Sequence, residues 1–334
     1  MAALPTRNLE LNGKSVQGKT AICIGANAGL GFAKCEWLVE NNIGRLVMGC
    51  RSLDKAEKAK SEIEKKNTGD TEIIIIKIDL SSLESIKSFG DQWSDQDPSC
   101  RKCDLLFCNA GLIVPNADMS TTEDNFEMTY QCNALGHLAL IEHLLPALSE
   151  SDDPRIIVTS SNGAKLTDIP NAPSENPRTP LRDVRKYKNY ALNSFALYSD
   201  SKKLITILCR ELQTSLDNHP NVKYRKIFVA NYHPGFVKTT ISNKEEYKAL
   251  KVFSVPVNML VNTFAISAPE GAKTALFLAT CSLQGKPRGA FWNEKTQPQS
   301  VGKQAEDTKL RRAYWDRCVK DAGVNPESFP LPPL

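Results

Sequence analysis

Short apolar segments alternate along the chain with longer segments whose apolar residues recur at helical spacing. Several of the short segments are apolar on both faces, which is typical of a parallel sheet covered by helices on each side. The segments predicted to be strands are 19–24, 45–50, 72–78, 104–108, 155–159, 226–230 and, less regularly, 289–292. The segments predicted to be helices are 30–41, 54–66, 83–93, 125–148 and 195–216. This alternation predicts an α/β fold, a Rossmann-type doubly wound parallel sheet of about seven strands.

No linker or internal repeat divides residues 1–334, so we expect a single domain. Residues 162–194 contain four prolines and are expected to form an insertion. Residues 240–268 are irregular and partly apolar, and residues 296–334 form a C-terminal extension. Residues 162–194 and residues 240–268 each follow a predicted strand, at the edge where such sheets bind ligands. We therefore expect 240–268 to be a substrate lid, although helix packing or a subunit interface would also explain its apolar residues.

Composition narrows the class of protein. Hydrophobic residues make up 41% and charged residues 24% of the 334 positions, which is typical of a globular protein and excludes a disordered chain. The net charge of +4 comes from basic residues spread along the chain, which argues against a nucleic-acid partner. Most of the ten cysteines lie in apolar segments, and no stretch reaches the roughly 20 apolar residues of a membrane span. We expect a cytoplasmic protein without a metal site, although weak contact of 240–268 with a membrane surface stays open.

A glycine-rich turn follows the first predicted strand and precedes a predicted helix. Gly25, Gly29 and Gly31 allow a tight turn and close approach of a pyrophosphate to unpaired N–H groups at the helix N-terminus. The second strand ends at Arg51, where dinucleotide-binding folds meet the adenosine ribose. An arginine there pairs with the 2′-phosphate of NADP, whereas NAD-binding proteins use Asp or Glu. The alternative interpretation of Arg51 is a solvated surface side chain.

A tyrosine and a lysine lie four residues apart in the last long predicted helix. Tyr198 and Lys202 therefore share a helix face, and an ammonium beside a phenol favours the phenolate and lowers its pKa. The spacing alone is common by chance. It gains weight because Ser160 and Ser161 end the fifth predicted strand and Asn133 lies in the helix after the fourth.

Together these motifs resemble the short-chain dehydrogenase/reductase family, over about residues 18–295 and in the family's order. The motifs are Gly25-xxx-Gly29-x-Gly31, Asp79-Leu80, Asn109-Ala110-Gly111, Asn133, Ser161, Tyr198-xxx-Lys202 and 233–239. Residues 44–51 and 311–315 also resemble the retinol-dehydrogenase-like branch and related fungal or plant carbonyl reductases.

The resemblance implies a catalytic set. Tyr198 would be the general acid or base, Lys202 would lower its pKa and hold the nicotinamide ribose, Ser161 would bond the substrate carbonyl, and Asn133 would anchor a relay water. It also implies that a set of residues binds the cofactor: Gly25, Asn27, Gly29, Leu30, Gly31, Arg51, Asp79, Leu80, Asn109, Ala110, Gly111, Tyr198, Lys202, Pro234, Gly235, Val237 and Thr239.

The function expected from this resemblance is NADPH-dependent hydride transfer to or from an apolar ketone, aldehyde or alcohol, such as a steroid, retinoid or natural-product intermediate. Two alternatives stay open: a non-redox NADP(H)-binding regulator, and a light-dependent reductase. The chain departs from the family at Ile24, at Cys108, and in the 37 positions that separate Ser161 from Tyr198. A homo-oligomer and a monomer are both compatible with the sequence.

Overall fold

The structure is a computed structural model that describes residues 9, 11–114, 120–183, 190–237 and 265–334. Thr239 and residues 240–264 of the expected lid lie outside the described residues, as do 184–189 of the insertion. An eight-stranded sheet in the order β3-β2-β1-β4-β5-β6-β7-β8 forms the centre of the fold. All neighbouring pairs are parallel except β7 with β8. The predicted α/β fold class is therefore confirmed.

The strands run close to their predicted bounds. They are β1 (Thr20–Ile24), β2 (Arg45–Cys50), β3 (Glu72–Lys77), β4 (Leu105–Cys108), β5 (Arg155–Thr159), β6 (Phe228–Tyr232), β7 (Phe291–Trp292) and β8 (Pro298–Gln299). Every residue of β1, β4, β5 and β6 is buried, as expected of strands covered on both faces. The sequence prediction missed β8, whose two residues are an exposed proline and an exposed glutamine and so carry no strand signal.

Helices cover both faces of the sheet. The longer ones are α1 (Gly29–Glu40), α2 (Leu53–Glu64), α3 (Leu83–Ser94), α4 (Gly136–Ser149), α5 (Tyr190–Asp217), α6 (Ala268–Thr280) and α7 (Thr308–Asp321). Short helices span Pro98–Cys100, Met128–Tyr130, Asn162–Lys165, Val222–Arg225, Lys303–Glu306 and Pro326–Ser328. Two buried apolar clusters result: α1, α2 and α6 pack on one face, and α3, α4, α5 and α7 on the other. Along the described parts of the chain, no helix is both long and apolar enough to cross a membrane.

Two predicted helix boundaries were wrong. The helix predicted over 125–148 is broken by a π-helical turn, Gln131–Leu135, before α4 begins. Helix α5 begins at Tyr190, inside the expected insertion 162–194. Ala268, the last residue of the expected lid, begins α6, which Ser267 caps by accepting a hydrogen bond from Glu270 N.

The strand order reverses between β1 and β4, which places a crevice at the carboxyl ends of these strands. Ile24 lies beside Cys108 in the sheet register, so the turn after β1 is adjacent to the turn after β4. The Asn109 Nδ2 donates to Gly25 O across this gap at 3.3 Å. The topology thereby brings the glycine turn and the segment after β4 to one site.

Candidate functional site

A cavity of about 980 Å³ occupies the crevice and extends from the glycine turn to the N-terminal part of α5. Three of the four predicted catalytic residues, Ser161, Tyr198 and Lys202, line it. Of the predicted cofactor set, the lining includes Gly25, Asn27, Gly29, Leu30, Arg51, Asp79, Leu80, Asn109, Ala110, Gly111, Tyr198, Lys202, Pro234, Gly235 and Val237. Gly31 and Asn133 do not line the cavity and lie behind its wall. The structure thus brings residues separated by more than half of the chain to one continuous cavity.

The glycine turn is shaped to leave space and free N–H groups at the start of α1. Gly25 and Gly29 have φ angles of 78° and 56°, a region that suits glycine. A Cβ atom on Gly31 would lie 2.1 Å from Gly25 O. The residue before α1 is Ala28, whose methyl group cannot cap the helix, whereas Ser52 and Ser82 cap α2 and α3. The uncapped N-terminus of α1 fits an anionic group such as a pyrophosphate.

Basic side chains line the cavity beside the end of β2. Arg51 is two-thirds exposed, and its Nε lies 4.0 Å from Asp79 Oδ2, too far for a strong ion pair. Lys55 and Lys58 project from α2 into the same part of the cavity. Three cationic side chains therefore line this end of the cavity, together with the two carboxylates of Asp79 and Glu62.

Tyr198 lies at the opposite end of the cavity and hydrogen-bonds Ser161. Burial raises the pKa of the Tyr198 phenol, and the bond to Ser161 opposes this. The prediction that Lys202 leaves Tyr198 with a lowered pKa is therefore wrong for this structure, because desolvation of the phenolate dominates. The Ser160 side chain is bound to α5 instead, with its Oγ donating to Lys202 O at 3.0 Å. Ser161, rather than Ser160, faces Tyr198, as the sequence analysis preferred.

Lys202 approaches Tyr198 from the adjacent turn of α5. Its Nζ lies 5.7 Å from the centre of the Tyr198 ring and donates to Thr159 O at 2.9 Å. Burial, and next the positive charge of Lys34, lower the pKa of Lys202 to about 8. Lys202 is therefore still mostly an ammonium near neutral pH, held beside the phenol by a backbone carbonyl.

Asn133 occupies the π-helical turn, and its side chain is fully engaged. Its Oδ1 accepts from Leu112 N at 2.8 Å, while its Nδ2 donates to Leu112 O at 2.8 Å and to Ser201 Oγ at 3.0 Å. Ser201 Oγ in turn donates to Tyr198 O at 2.7 Å. Asn133 therefore joins the segment after β4 to the helix that carries the tyrosine. A π turn inside a helix is often found at a functional site.

Two buried groups that were not among the predicted site residues lie under the cavity floor. His137 Nε2 lies 2.9 Å from Ala110 O, and burial lowers the pKa of this imidazole to about 4, so it is neutral near pH 7. Lys34 of α1 is completely buried, with Nζ donating to Asn109 Oδ1 at 2.6 Å. The signal for Lys34 was its position on the apolar side of α1, where Cys35 and Leu38 are also buried.

The described part of the insertion is attached to α5 and α7. Arg182 Nε donates to Asp200 Oδ2 at 2.8 Å, and Lys203 Nζ lies 2.9 Å from Asp168 Oδ1. Tyr314 donates to Pro170 O at 2.8 Å. Asp200 lies between Tyr198 and Lys202 in the sequence, so the insertion is attached directly behind the tyrosine–lysine pair.

Comparison with known proteins identifies the class. A family model described as short chain dehydrogenase matches residues 19–172. This match agrees with the sheet order and with the curated relatives below, which align over nearly the whole chain, and it supports the resemblance to the short-chain dehydrogenase/reductase family.

The similar proteins agree with this assignment. Retinol dehydrogenase 14 of Homo sapiens is 29% identical over 314 residues, covering 90% of this chain and 85% of that protein. The chloroplastic protochlorophyllide reductase of Daucus carota is 27% identical over 333 residues, covering 93% and 79%. Among solved structures, the NADPH-bound carbonyl reductase from chicken fatty liver gives a TM-score of 0.57 at 20% identity, covering 85% and 99%. The predicted resemblance to the retinol-dehydrogenase-like branch is confirmed.

Proposed function

We propose that this protein is an NADPH-dependent oxidoreductase that transfers a hydride between nicotinamide and an apolar ketone, aldehyde or corresponding alcohol. The observation that carries the proposal is the arrangement around Tyr198. Its hydroxyl hydrogen-bonds Ser161, the Lys202 Nζ lies 5.7 Å from its ring, and all three line the cavity that extends to the glycine turn. A protein that only binds the dinucleotide has no need of this arrangement.

The residues of the cavity fit the cofactor. The uncapped N-terminus of α1 and the glycine turn suit the pyrophosphate, while Asp79, Leu80 and 109–111 line the region proposed for the adenosine. Lys202 and 234–237 line the region proposed for the nicotinamide riboside. Bound NADPH would supply the hydride that the carbonyl carbon accepts.

The side chains proposed to be catalytic act on the carbonyl oxygen. Ser161 and Tyr198 both present hydroxyl groups, so an oxygen placed between them is polarised before the carbon is attacked. As negative charge develops on that oxygen, Tyr198 donates its proton, and Lys202 stabilises the resulting phenolate. In alcohol oxidation the same groups act in the reverse direction. The raised pKa of Tyr198 keeps the phenol protonated near neutral pH, which is the form that carbonyl reduction requires.

Asn133 supports this chemistry by holding neighbouring segments of the site in place. Because its side chain is used by Leu112 and Ser201, we propose that it orders the segment after β4 and the start of the catalytic helix. A relay water would then be bound by the backbone of the π turn rather than by the Asn133 carboxamide.

Preference for NADPH over NADH rests on the cationic end of the cavity. Arg51 is the residue proposed to pair with the 2′-phosphate, with Lys55 and Lys58 nearby. Its loose contact with Asp79 leaves the guanidinium free for bidentate binding. An Arg51→Ala variant should bind NADPH about tenfold more weakly and NADH unchanged, since a charged hydrogen bond contributes about 1.5–3 kcal/mol.

Apolar side chains near Tyr198 support an apolar substrate. Leu112, Ile113 and Phe236 line the cavity, and Phe236 is half exposed. Leu166 and Phe195 are also exposed, one after the turn that begins at Ser161 and the other one helical turn before Tyr198. Retinol dehydrogenase 14 is named for an apolar alcohol, which agrees with this substrate class. We propose a reducing compartment such as the cytoplasm, in which ten thiols, nine of them buried, would be stable.

The test is a panel of aldehydes and ketones assayed with NADPH and with NADH, in darkness and in light, by loss of reduced-nicotinamide absorbance. Turnover in darkness with NADPH is expected. Turnover only under illumination would favour the light-dependent alternative, for which the similarity to protochlorophyllide reductase is the argument.

The matched variant is Tyr198→Phe, which removes one hydroxyl group. We expect kcat to fall roughly a thousandfold while NADPH binding by calorimetry is retained. Full activity of this variant would contradict the catalytic role, and a wild-type protein that binds no dinucleotide would contradict the whole proposal.

A further inference from the structure

Lys34 is a fully buried lysine with an acceptor for each of its N–H groups. Its Nζ donates to Asn109 Oδ1 at 2.6 Å, to Tyr232 Oη at 3.3 Å and to Thr159 Oγ1 at 3.4 Å. The side chain leaves α1, crosses the apolar core and ends below the carboxyl edge of β4, β5 and β6. Three oxygen acceptors match the three donors of an ammonium group.

The surroundings of Lys34 favour a positive charge without neutralising it. The Nζ lies 5.5 Å from the ring centre of Phe107 and 5.7 Å from that of Tyr232, distances typical of cation–π contact. Within the described part of the chain, none of the ion pairs includes Lys34, and its hydrogen-bond partners are neutral. Its charge is therefore uncompensated in a region of low dielectric, where it acts over a longer range than in water.

Lys34 and the catalytic lysine contact the same residue from opposite faces of the sheet. Lys34 donates to the Thr159 hydroxyl, and Lys202 donates to the Thr159 carbonyl oxygen. The charge of Lys34 also contributes to the lowered pKa of Lys202. Thr159 and Asn109, the residues directly above Lys34, line the cavity. Through Thr159, the charge of Lys34 lies one layer of side chains from Lys202 and from the region that Lys202 lines, which is the region proposed for the nicotinamide.

We propose that Lys34 makes the site select the reduced cofactor, by placing a fixed positive charge beneath the nicotinamide. This inference rests on the proposed function. Oxidised nicotinamide carries a positive charge and reduced nicotinamide does not, so a buried ammonium weakens binding of NADP⁺ and leaves NADPH nearly unaffected. The protein would release NADP⁺ readily and resist inhibition by it. Lys34 is thus a residue that sets specificity for the redox state without touching substrate.

The experiment measures Kd for NADPH and for NADP⁺ by calorimetry in wild type and in Lys34→Met, which keeps the length of the side chain and removes the charge. We expect the ratio of Kd(NADP⁺) to Kd(NADPH) to fall roughly fivefold in Lys34→Met, an effect expected of a unit charge acting through one layer of protein. A purely structural role would weaken both dinucleotides equally and leave the ratio unchanged.

Two further variants complete the test. Lys203→Met removes a neighbouring buried lysine whose charge is neutralised by Asp168, so the ratio should stay at the wild-type value. Lys34→Gln keeps a donor for Asn109 without the charge, so it should behave as Lys34→Met does, and it serves if the Met variant does not fold. If Lys34→Gln or Lys34→Met kept the wild-type Kd ratio, the inference about Lys34 would be overturned. Turnover with NADPH would still support the proposed function in that case. Failure of wild type to bind either dinucleotide would overturn both.

Discussion

The cofactor side and the substrate side of the cavity are held in place by different kinds of contact. On the cofactor side, Gly25 N donates to Gly49 O at 2.7 Å, and Asn109 Nδ2 donates to Gly25 O. These bonds join turns at the ends of neighbouring strands. On the substrate side, side chains attach the insertion to α5 and the C-terminal extension: Arg182 to Asp200, and Gln304 Nε2 to Ile169 O at 2.6 Å.

The difference shows how each side tolerates change. A site fixed by backbone contacts and by the absence of side chains at glycines has no way to accommodate an added atom. A site attached through long polar side chains can shift when one contact is lost, and the remaining contacts still hold it. Substitutions on the cofactor side should therefore abolish NADPH binding, whereas substitutions on the substrate side should change substrate affinity only modestly.

The largest effect is expected for Gly31→Ala. Its Cβ would lie 2.1 Å from Gly25 O and 2.7 Å from Asn109 Nδ2, so the glycine turn must move. We expect NADPH affinity by calorimetry to fall roughly a thousandfold, because the clash is with backbone and exceeds ordinary overpacking.

The matched control is Gly163→Ala, on the substrate side. There the added Cβ would meet Ser199 Oγ at 2.9 Å and Ser161 Oγ at 3.4 Å, atoms of side chains that can rotate. NADPH affinity should change by no more than about twofold. Equal losses in the two variants would remove the distinction between the two sides.

The second prediction concerns pH and the floor of the cofactor side. The pKa of His137 is about 4 in the folded protein and 6.5 in the unfolded chain, so the unfolded chain binds the proton first as pH falls. The contribution of neutral His137 to the free energy of unfolding is complete above about pH 6.5 and is lost as the pH falls toward about 4. The loss should reach up to about 3 kcal/mol in the free energy of unfolding.

His137→Gln isolates this effect, because glutamine can still donate to Ala110 O but does not titrate. Denaturant unfolding at several pH values should show a flatter dependence in the variant than in wild type. Parallel curves for the two proteins would show that another group causes the acid sensitivity.

The contrast between the two sides also explains what the sequence could predict. The strands, the glycine turn and the Tyr198–Lys202 pair are visible because their signals lie in short segments with fixed spacing. The roles of Arg51 and Thr239 stay predictions. The raised pKa of Tyr198 was not predicted, because it depends on burial by residues distant in sequence.

Other features were missed for the same physical reason. The π turn around Asn133 has no pattern of its own in an apolar helical segment. The position of Lys34 on the apolar side of α1 was a weak signal for a charged residue, and the packing of α1 against the sheet shows that the side chain is fully buried. The contacts between the insertion and the C-terminal extension join residues more than 130 positions apart, such as Gln304 with Ile169, which no local periodicity records.

The smallest effect is expected for Arg182→Gln, on the substrate side. Its side chain bonds Asp200 through Nε at 2.8 Å and Asp168 O through Nη2 at 2.7 Å, so its loss loosens the insertion behind Tyr198. The KM for the carbonyl substrate should rise about tenfold or less, while the Kd for NADPH stays within about twofold of wild type. Arg288→Gln is the matched control: its side chain is similarly exposed and pairs with Asp217, away from the cavity, so neither constant should change. If Arg182→Gln weakened NADPH as much as it weakened the substrate, the insertion would support the cofactor side as well, and the two sides would have to be treated as one unit.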